Sequence, residues 1–242
     1  MTYCLGIKLN NNIILMSDSR TSAGVDNIST YSKMWRFGQP GERQLVLCSA
    51  GNLATTQAVI ATLKADMEKA APINLMSVNT MHEGAEYLGK VIVECQTKNT
   101  GGGSVFETTF LLGGEILGSE PALHMVYAQG NHITSSPKVP YLQIGEFKYG
   151  KPILERVVQE DMPLDRAVVC ALISMDATLK SNLTVGPPVE LCVLDIGSLQ
   201  PGRYIAFEED DAYMAELRRA WDILMEEAMD KLQSPNWMSA PA

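Results

Sequence analysis

Three histidines and five cysteines are few for 242 residues, and none is spaced as a ligand set. The cysteines (Cys4, Cys48, Cys95, Cys170 and Cys192) are odd in number and scattered, with no Cys-x-x-Cys pair. Most lie in apolar runs, such as Leu47-Cys48 and Val169-Cys170. They read as reduced core thiols of a cytoplasmic protein, not as a disulfide or zinc framework. His82, His124 and His132 lack Cys or carboxylate neighbours at ligand spacing, so neither a Ser/His/Asp triad nor a metal site is expected. His82 reads as a helix surface residue and His124 as a strand residue. Positive charge is also scarce. Nineteen Lys and Arg against 28 Asp and Glu leave a net charge of −9, which argues against general affinity for nucleic acid. There is no Gly-Lys-Ser/Thr phosphate loop and no Gly-x-Gly-x-x-Gly turn. No apolar run approaches the ~20 residues of a membrane span, and no cationic stretch precedes an apolar core at the N-terminus. The expectation is a cytoplasmic chain needing neither metal nor organic cofactor.

What is present is ordinary globular material, 46% apolar and 19% charged. Residues 3–9 and 13–18 read as strands of a hairpin around Asn10-Asn11-Asn12. Residues 28–37 read as a further strand, and 45–50 as a buried one after the turn Gly38-Gln39-Pro40-Gly41. Helical periodicity covers 53–70 and then 77–98, with Ser77 as cap. The run Asn99 to Ser104, rich in glycine, reads as a connection. Strands follow at 105–113, 122–128 and 139–144, helices at 150–159 and 164–180, and strands at 188–196 and 202–207. A helix over 210–232 closes the chain, with a loosely ordered tail over 233–242 in which Trp237 can dock. The hairpin-like strand pairs argue for antiparallel sheets and against repeated βαβ units. With no repeat and no linker, residues 1–242 read as one domain. Met214, Leu217, Trp221, Leu224 and Ala228 form an apolar stripe on the last helix, facing either its own domain or a neighbouring subunit.

The chemistry gathers near the start. Met1 precedes a small residue, so an aminopeptidase can remove it and free the α-amine of Thr2. A threonine hydroxyl needs a base close by. A free amine, with an ordinary pKa of about 7.7–8.0, is one. Asp18 ends the second strand near the chain start, and Lys33 lies in the next strand with Tyr31 on the same face at period two. A buried Asp and a buried Lys need each other. Beside Thr2 the ammonium would keep the amine neutral and lower the hydroxyl's pKa, although such a pair is also a common structural ion pair. Ser49-Ala50-Gly51-Asn52 marks a strand passing into a helix. Free N–H groups there are candidate oxyanion donors, and a simple turn that needs Gly is the alternative.

Thr2, Ser17-Asp18-Ser19-Arg20-Thr21, Lys33 and Ser49-Ala50-Gly51 with Thr55-Thr56-Gln57-Ala58 together resemble the proteasome β-subunit branch of the N-terminal nucleophile hydrolases. The opening Thr-Tyr-Cys-Leu-Gly-Ile-Lys-Leu and the stretch Ser181 to Pro188 look like the bacterial proteasome-related Anbu family. The resemblance implies an α+β, four-layer αββα sandwich. It implies Thr2 as nucleophile and base, Asp18 and Lys33 as tuning residues, and the Gly51 N–H as oxyanion donor. Thr21, Tyr31 and Ser49, with Leu53, are the expected substrate side of the pocket beside Thr2. The resemblance also implies a homo-oligomeric ring or spiral acting on peptide or unfolded protein. Whether an unfoldase delivers the substrate is not written in the residues. Two departures touch the supporting shell. Glu146 follows Gly145 where the family usually carries Ser, and Ser181 and Thr184 stand where it uses Asp and Ser. The expected function is amide hydrolysis by a threonine peptidase once Met1 is gone. The alternatives are an N-terminal nucleophile enzyme for a non-protein amide, and a ring-forming scaffold with little or no catalysis.

Overall fold

The computed structural model describes residues 1–22, 28–98 and 103–235. It divides into two compact units, Met1–Glu209 and Asp210–Ala242. Asn99–Gly102 of the glycine-rich connection and most of the tail, including Trp237, lie outside the described residues.

The first unit opens with the expected hairpin, β1 (Tyr3–Lys8) and β2 (Asn12–Asp18). β3 (Arg20–Ser22) then pairs with β4 (Ile28–Thr30). The reach 28–37, expected as one strand, is therefore interrupted, and β5 (Met34–Gln39) starts only after residues 31–33. At the break the Ser32 hydroxyl accepts from the Met34 N–H at 3.3 Å, a local bond that competes with strand pairing. There follow β6 (Arg43–Gly51), α1 (Leu53–Glu68) and α2 (Met81–Thr97). α2 begins later than Ser77. Ser77 instead closes a turn with Asn74, whose N–H it accepts at 2.8 Å, and Thr80 caps the helix by accepting the Glu83 N–H at 3.1 Å. Gly103–Phe106 forms a short 3-10 turn, so β7 spans Thr108–Ile116 rather than starting at 105. β8 (Ala122–Val126), β9 (His132–Thr134), which the sequence did not announce, and β10 (Tyr141–Gly145) come next. α3 (Lys151–Val157), α4 (Leu164–Ser181), β11 (Val189–Asp195) and β12 (Arg203–Phe207) complete the unit.

The strands form two five-stranded antiparallel sheets, β10-β1-β2-β11-β12 and β5-β6-β7-β8-β9. Side chains alternate across each sheet, and both faces are covered. Ile13 and Leu15 of β2 join Val46, Cys48 and Leu111 in a core between the sheets. Ile14 and Met16 point the other way and are also fully buried, on the side where α4 packs. Leu45, Leu47, Phe110 and Leu112 meet α1 and α2 through residues such as Leu63 and Leu88. Cover on both faces explains why strands such as Ile13-Ile14-Leu15-Met16 are continuous apolar runs. Burial at roughly 25 cal/mol per Å² of apolar surface drives this stacking. The result is the expected α+β, αββα order of layers.

The second unit holds α5 (Ala212–Asp230), capped by Asp211, which accepts the Met214 N–H at 3.0 Å. Along its apolar stripe exposure is uneven, low at Met214 and 55% at Leu224. No helix among the described residues is long and apolar enough to cross a membrane.

Candidate active site

The register of the first hairpin does the initial positioning. Cys4 stands opposite Ser17, which sets Tyr3 beside Asp18, and the Tyr3 N–H donates to Asp18 Oδ1 at 3.0 Å. Lys33, in the break before β5, donates from Nζ to the same oxygen at 2.8 Å and to the Arg20 carbonyl at 2.6 Å. The Gly186 N–H donates to Asp18 Oδ2 at 3.2 Å, and the Lys33 carbonyl accepts the Ser49 N–H at 3.0 Å. Asp18 is wholly buried and Lys33 5% exposed. Burial pushes the Asp18 carboxyl upward, while the Lys33 ammonium and the Tyr3 and Gly186 N–H groups pull it back.

Thr2 is held from the opposite side by β10. Its carbonyl accepts the Glu146 N–H at 2.7 Å. Gly145 turns there with φ +81°, and a Cβ at that position would run into the Thr2 carbonyl, so the close approach requires glycine. Glu146 is 4% exposed. Its Oε2 accepts Asn182 Nδ2 at 3.1 Å, and Lys148 Nζ lies 3.4 Å from Oε1. Asn182 Oδ1 in turn accepts the Thr184 hydroxyl at 2.6 Å and the Thr184 N–H at 3.0 Å.

These groups open onto a cavity of about 630 Å³ lined by Met1, Thr2, Thr21, Lys33, Ser49 and Gly51, among others. Gly51 ends β6 at φ +127°, and a Cβ there would strike the Glu107 carbonyl. Burial, and next the Lys33 ammonium, hold the Met1 α-amine below its ordinary value, while Asp18 and Glu146 act to raise it. The amine at the chain start thus feels all three charges.

Of the residues expected at the site, Thr2, Asp18, Lys33, Gly51, Thr21, Ser49, Glu146 and, through Asn182, Thr184 come together. Two do not. Tyr31 is 43% exposed and outside the cavity lining, because the strand that would have aligned it with Lys33 breaks between them. Its neighbour Ser32 lines the cavity instead. Ser181 is the exposed last residue of α4, and Asn182, one position on, bonds Glu146. The Asn182–Thr184 spacing is an Asx-turn signal that could have revealed this. The histidines, which look isolated in the sequence, meet in space. His82 and His132 are hydrogen-bonded at 3.1 Å, and the His124 ring lies edge-on to His132, with centroids 5.2 Å apart. Among the described residues, no group of three or more His, Cys, Asp or Glu is arranged to hold a metal ion.

A four-layer αββα unit with a threonine at its N-terminal edge, beside a buried Asp–Lys pair and a glycine-ended strand, defines the proteasome-type class of N-terminal nucleophile hydrolases. A protein-family model described as "Proteasome subunit" matches residues 2–194. The chain is similar to the solved structure of Anbu (ancestral beta-subunit) from Yersinia bercovieri, with 42% identity over 96% of this chain and 98% of that one and a TM-score of 0.92. It is similar too to a structure titled helical assembly of the Anbu complex from Pseudomonas aeruginosa, with 40% identity, 96% and 98% coverage and a TM-score of 0.92. A mutant Anbu from Hyphomicrobium sp. strain MC1 shares 38% identity over 97% of this chain and 99% of that chain, again with a TM-score of 0.92. Comparison with curated protein sequences gives no match. The chain belongs to the proteasome-subunit family and, within it, to the Anbu group.

Proposed function

We propose that this chain is a threonine amide hydrolase that becomes competent when Met1 is removed. The observation that carries the reading is that Thr2, Lys33 and Glu146 line one cavity, with Asp18 buried behind Lys33 and bonded to its ammonium. In the processed chain the Thr2 amine takes the proton from the Thr2 hydroxyl as its oxygen attacks a carbonyl carbon. The new C–O bond leaves an oxyanion for the Gly51 N–H to receive. Collapse breaks the C–N bond, and the amine returns its proton to the leaving nitrogen. Water then hydrolyses the ester on Thr2. Lys33 favours the neutral amine and Asp18 orients Lys33. Glu146, steadied by Asn182 and Thr184, supplies the negative charge that the family's usual supporting residues would provide. Peptide or unfolded protein is the substrate class that fits the family; small non-protein amides are the competing class for the same machinery.

The test uses Met1-free protein incubated with a peptide aldehyde or a β-lactone and read by mass spectrometry. An adduct on Thr2 is expected. Its absence on a correctly processed chain would sink the proposal.

A scaffold role is the second reading, and a homo-oligomer serves both. Two observations support self-assembly. One is the helical assembly formed by the Pseudomonas aeruginosa relative. The other is the exposure of Ile223, Leu224, Met225 and Met229 on α5, an apolar surface of the kind that marks interaction sites.

A further inference from the structure

Glu190 stands out as a buried acid in an otherwise apolar strand, Val189-Glu190-Leu191-Cys192-Val193-Leu194, and it is 6% exposed. Its carboxylate gathers three hydroxyls. The Ser32 Oγ lies 2.9 and 2.8 Å from Oε1 and Oε2 and can donate to either. The Ser19 hydroxyl donates to Oε2 at 3.2 Å, and the Tyr204 hydroxyl donates to Oε1 at 2.8 Å. Tyr204 is fixed in its turn, with the Arg36 guanidinium 4.1 Å above its ring. Burial, and then the bond to Glu190, push the Tyr204 phenol up to about 12, which keeps it a donor.

The chain positions of two of these hydroxyls connect Glu190 to the active site. Ser19 directly follows Asp18, and Ser32 directly precedes Lys33. We propose that Glu190 is a positioning residue for the Asp18–Lys33 pair, clamping the two backbone segments that carry its members so that the Lys33 ammonium stays fixed beside Thr2. The segment before β5 is tied by single backbone bonds on either side of Ser32, the Tyr31 N–H donating to the Ser19 carbonyl at 2.9 Å and the Lys33 carbonyl accepting the Ser49 N–H at 3.0 Å, and the clamp acts on the residue between them. Ser32 spans the gap, accepting the Met34 N–H at 3.3 Å while facing Glu190. An ionised carboxylate is suited to the task because it only accepts. A glutamine in its place would turn an amide donor towards hydroxyls that are already donating. The inference rests on the proposed Thr2 chemistry for its catalytic consequence, but the clamp itself can be read without catalysis.

The experiment compares the Met1-free wild type with Glu190→Gln, Ser32→Ala and the double variant. The first readout is β-lactone modification of Thr2, separated into the inactivation rate at saturation and the half-saturating concentration. The second is hydrogen exchange of the backbone over 18–20 and 31–34 in the full chain. Glu190→Gln should lower the saturating rate about ten- to a hundredfold, the scale expected for a small misplacement of a catalytic group. The half-saturating concentration should stay within about twofold, because pocket contacts are kept. Exchange over 31–34 should rise. The Ser32→Ala effect should add little on top of Glu190→Gln, since both break one unit. An unchanged saturating rate in a folded Glu190→Gln protein overturns the inference, as does full additivity with Ser32→Ala. Should the wild type itself form no adduct, the Thr2 reading falls. Exchange over 18–20 and 31–34 then decides the clamp alone, and no change there rejects it.

Discussion

Asp18 takes three hydrogen bonds on two oxygens, from Tyr3, Lys33 and Gly186, with no access to water. Removing either member of its ion pair strands a charge in the interior, which costs about 3–5 kcal/mol. Asp18→Ala and Lys33→Ala should each lower stability on that scale in urea unfolding. The double variant Asp18→Leu/Lys33→Met should cost much less than the sum of the two, because no unpaired charge is left. Additive losses would mean the two residues act separately. At this scale the sequence was informative where chemistry follows position along a strand. The hairpin register that brings Asp18 to Tyr3 follows from the Asn-rich turn, and Lys33 follows from the need of a buried carboxylate for a cation. It was misleading where a side chain decides the backbone path. Ser32 interrupts the strand and sends Tyr31 outward, and the residue that reaches Glu146 is Asn182 and not Ser181. Glu190 drew no expectation from the sequence, since its partners Ser19, Ser32 and Tyr204 come from three separate segments.

At the scale of elements, β9 was missed because three residues, His132–Thr134, are too short to show alternation. Its placement assembles a cluster that no sequence spacing encodes. Burial, then the neighbouring His132 and His82, lower His124 from the ordinary 6.5 to about 4. Glu86 also faces the cluster, 3.6 Å from His82. Between pH 6.5 and 4 the unfolded chain binds a proton on this imidazole that the folded chain refuses. Stability therefore falls as pH drops through that window, by on the order of 3 kcal/mol. The pH dependence of the melting temperature checks this. His124→Leu should lose less stability than wild type between pH 6.5 and 4.5, while equal losses would remove His124 as the cause. Helix starts show a similar limit. Ser77 and Thr80 are both good caps by type, and Asn74 decides between them by engaging Ser77 in a turn.

At the scale of the whole molecule, the layer order was legible because continuous apolar strands and paired amphipathic helices leave few ways to cover both faces of two sheets. The assembly state was not, since it depends on surfaces such as the exposed apolar residues of α5. Light scattering should give a mass of several chains, and Leu224→Asp with Met229→Asp should reduce it. A wild type that scatters as a single chain would contradict self-assembly. The central claim, however, concerns the amine and hydroxyl of one threonine. It is tested most directly by mass spectrometry of Met1-free protein after β-lactone treatment. The account predicts one covalent adduct, mapped to Thr2 and abolished by Thr2→Ala. A correctly processed, folded chain that stays unmodified, or one modified equally in the Thr2→Ala variant, would contradict it.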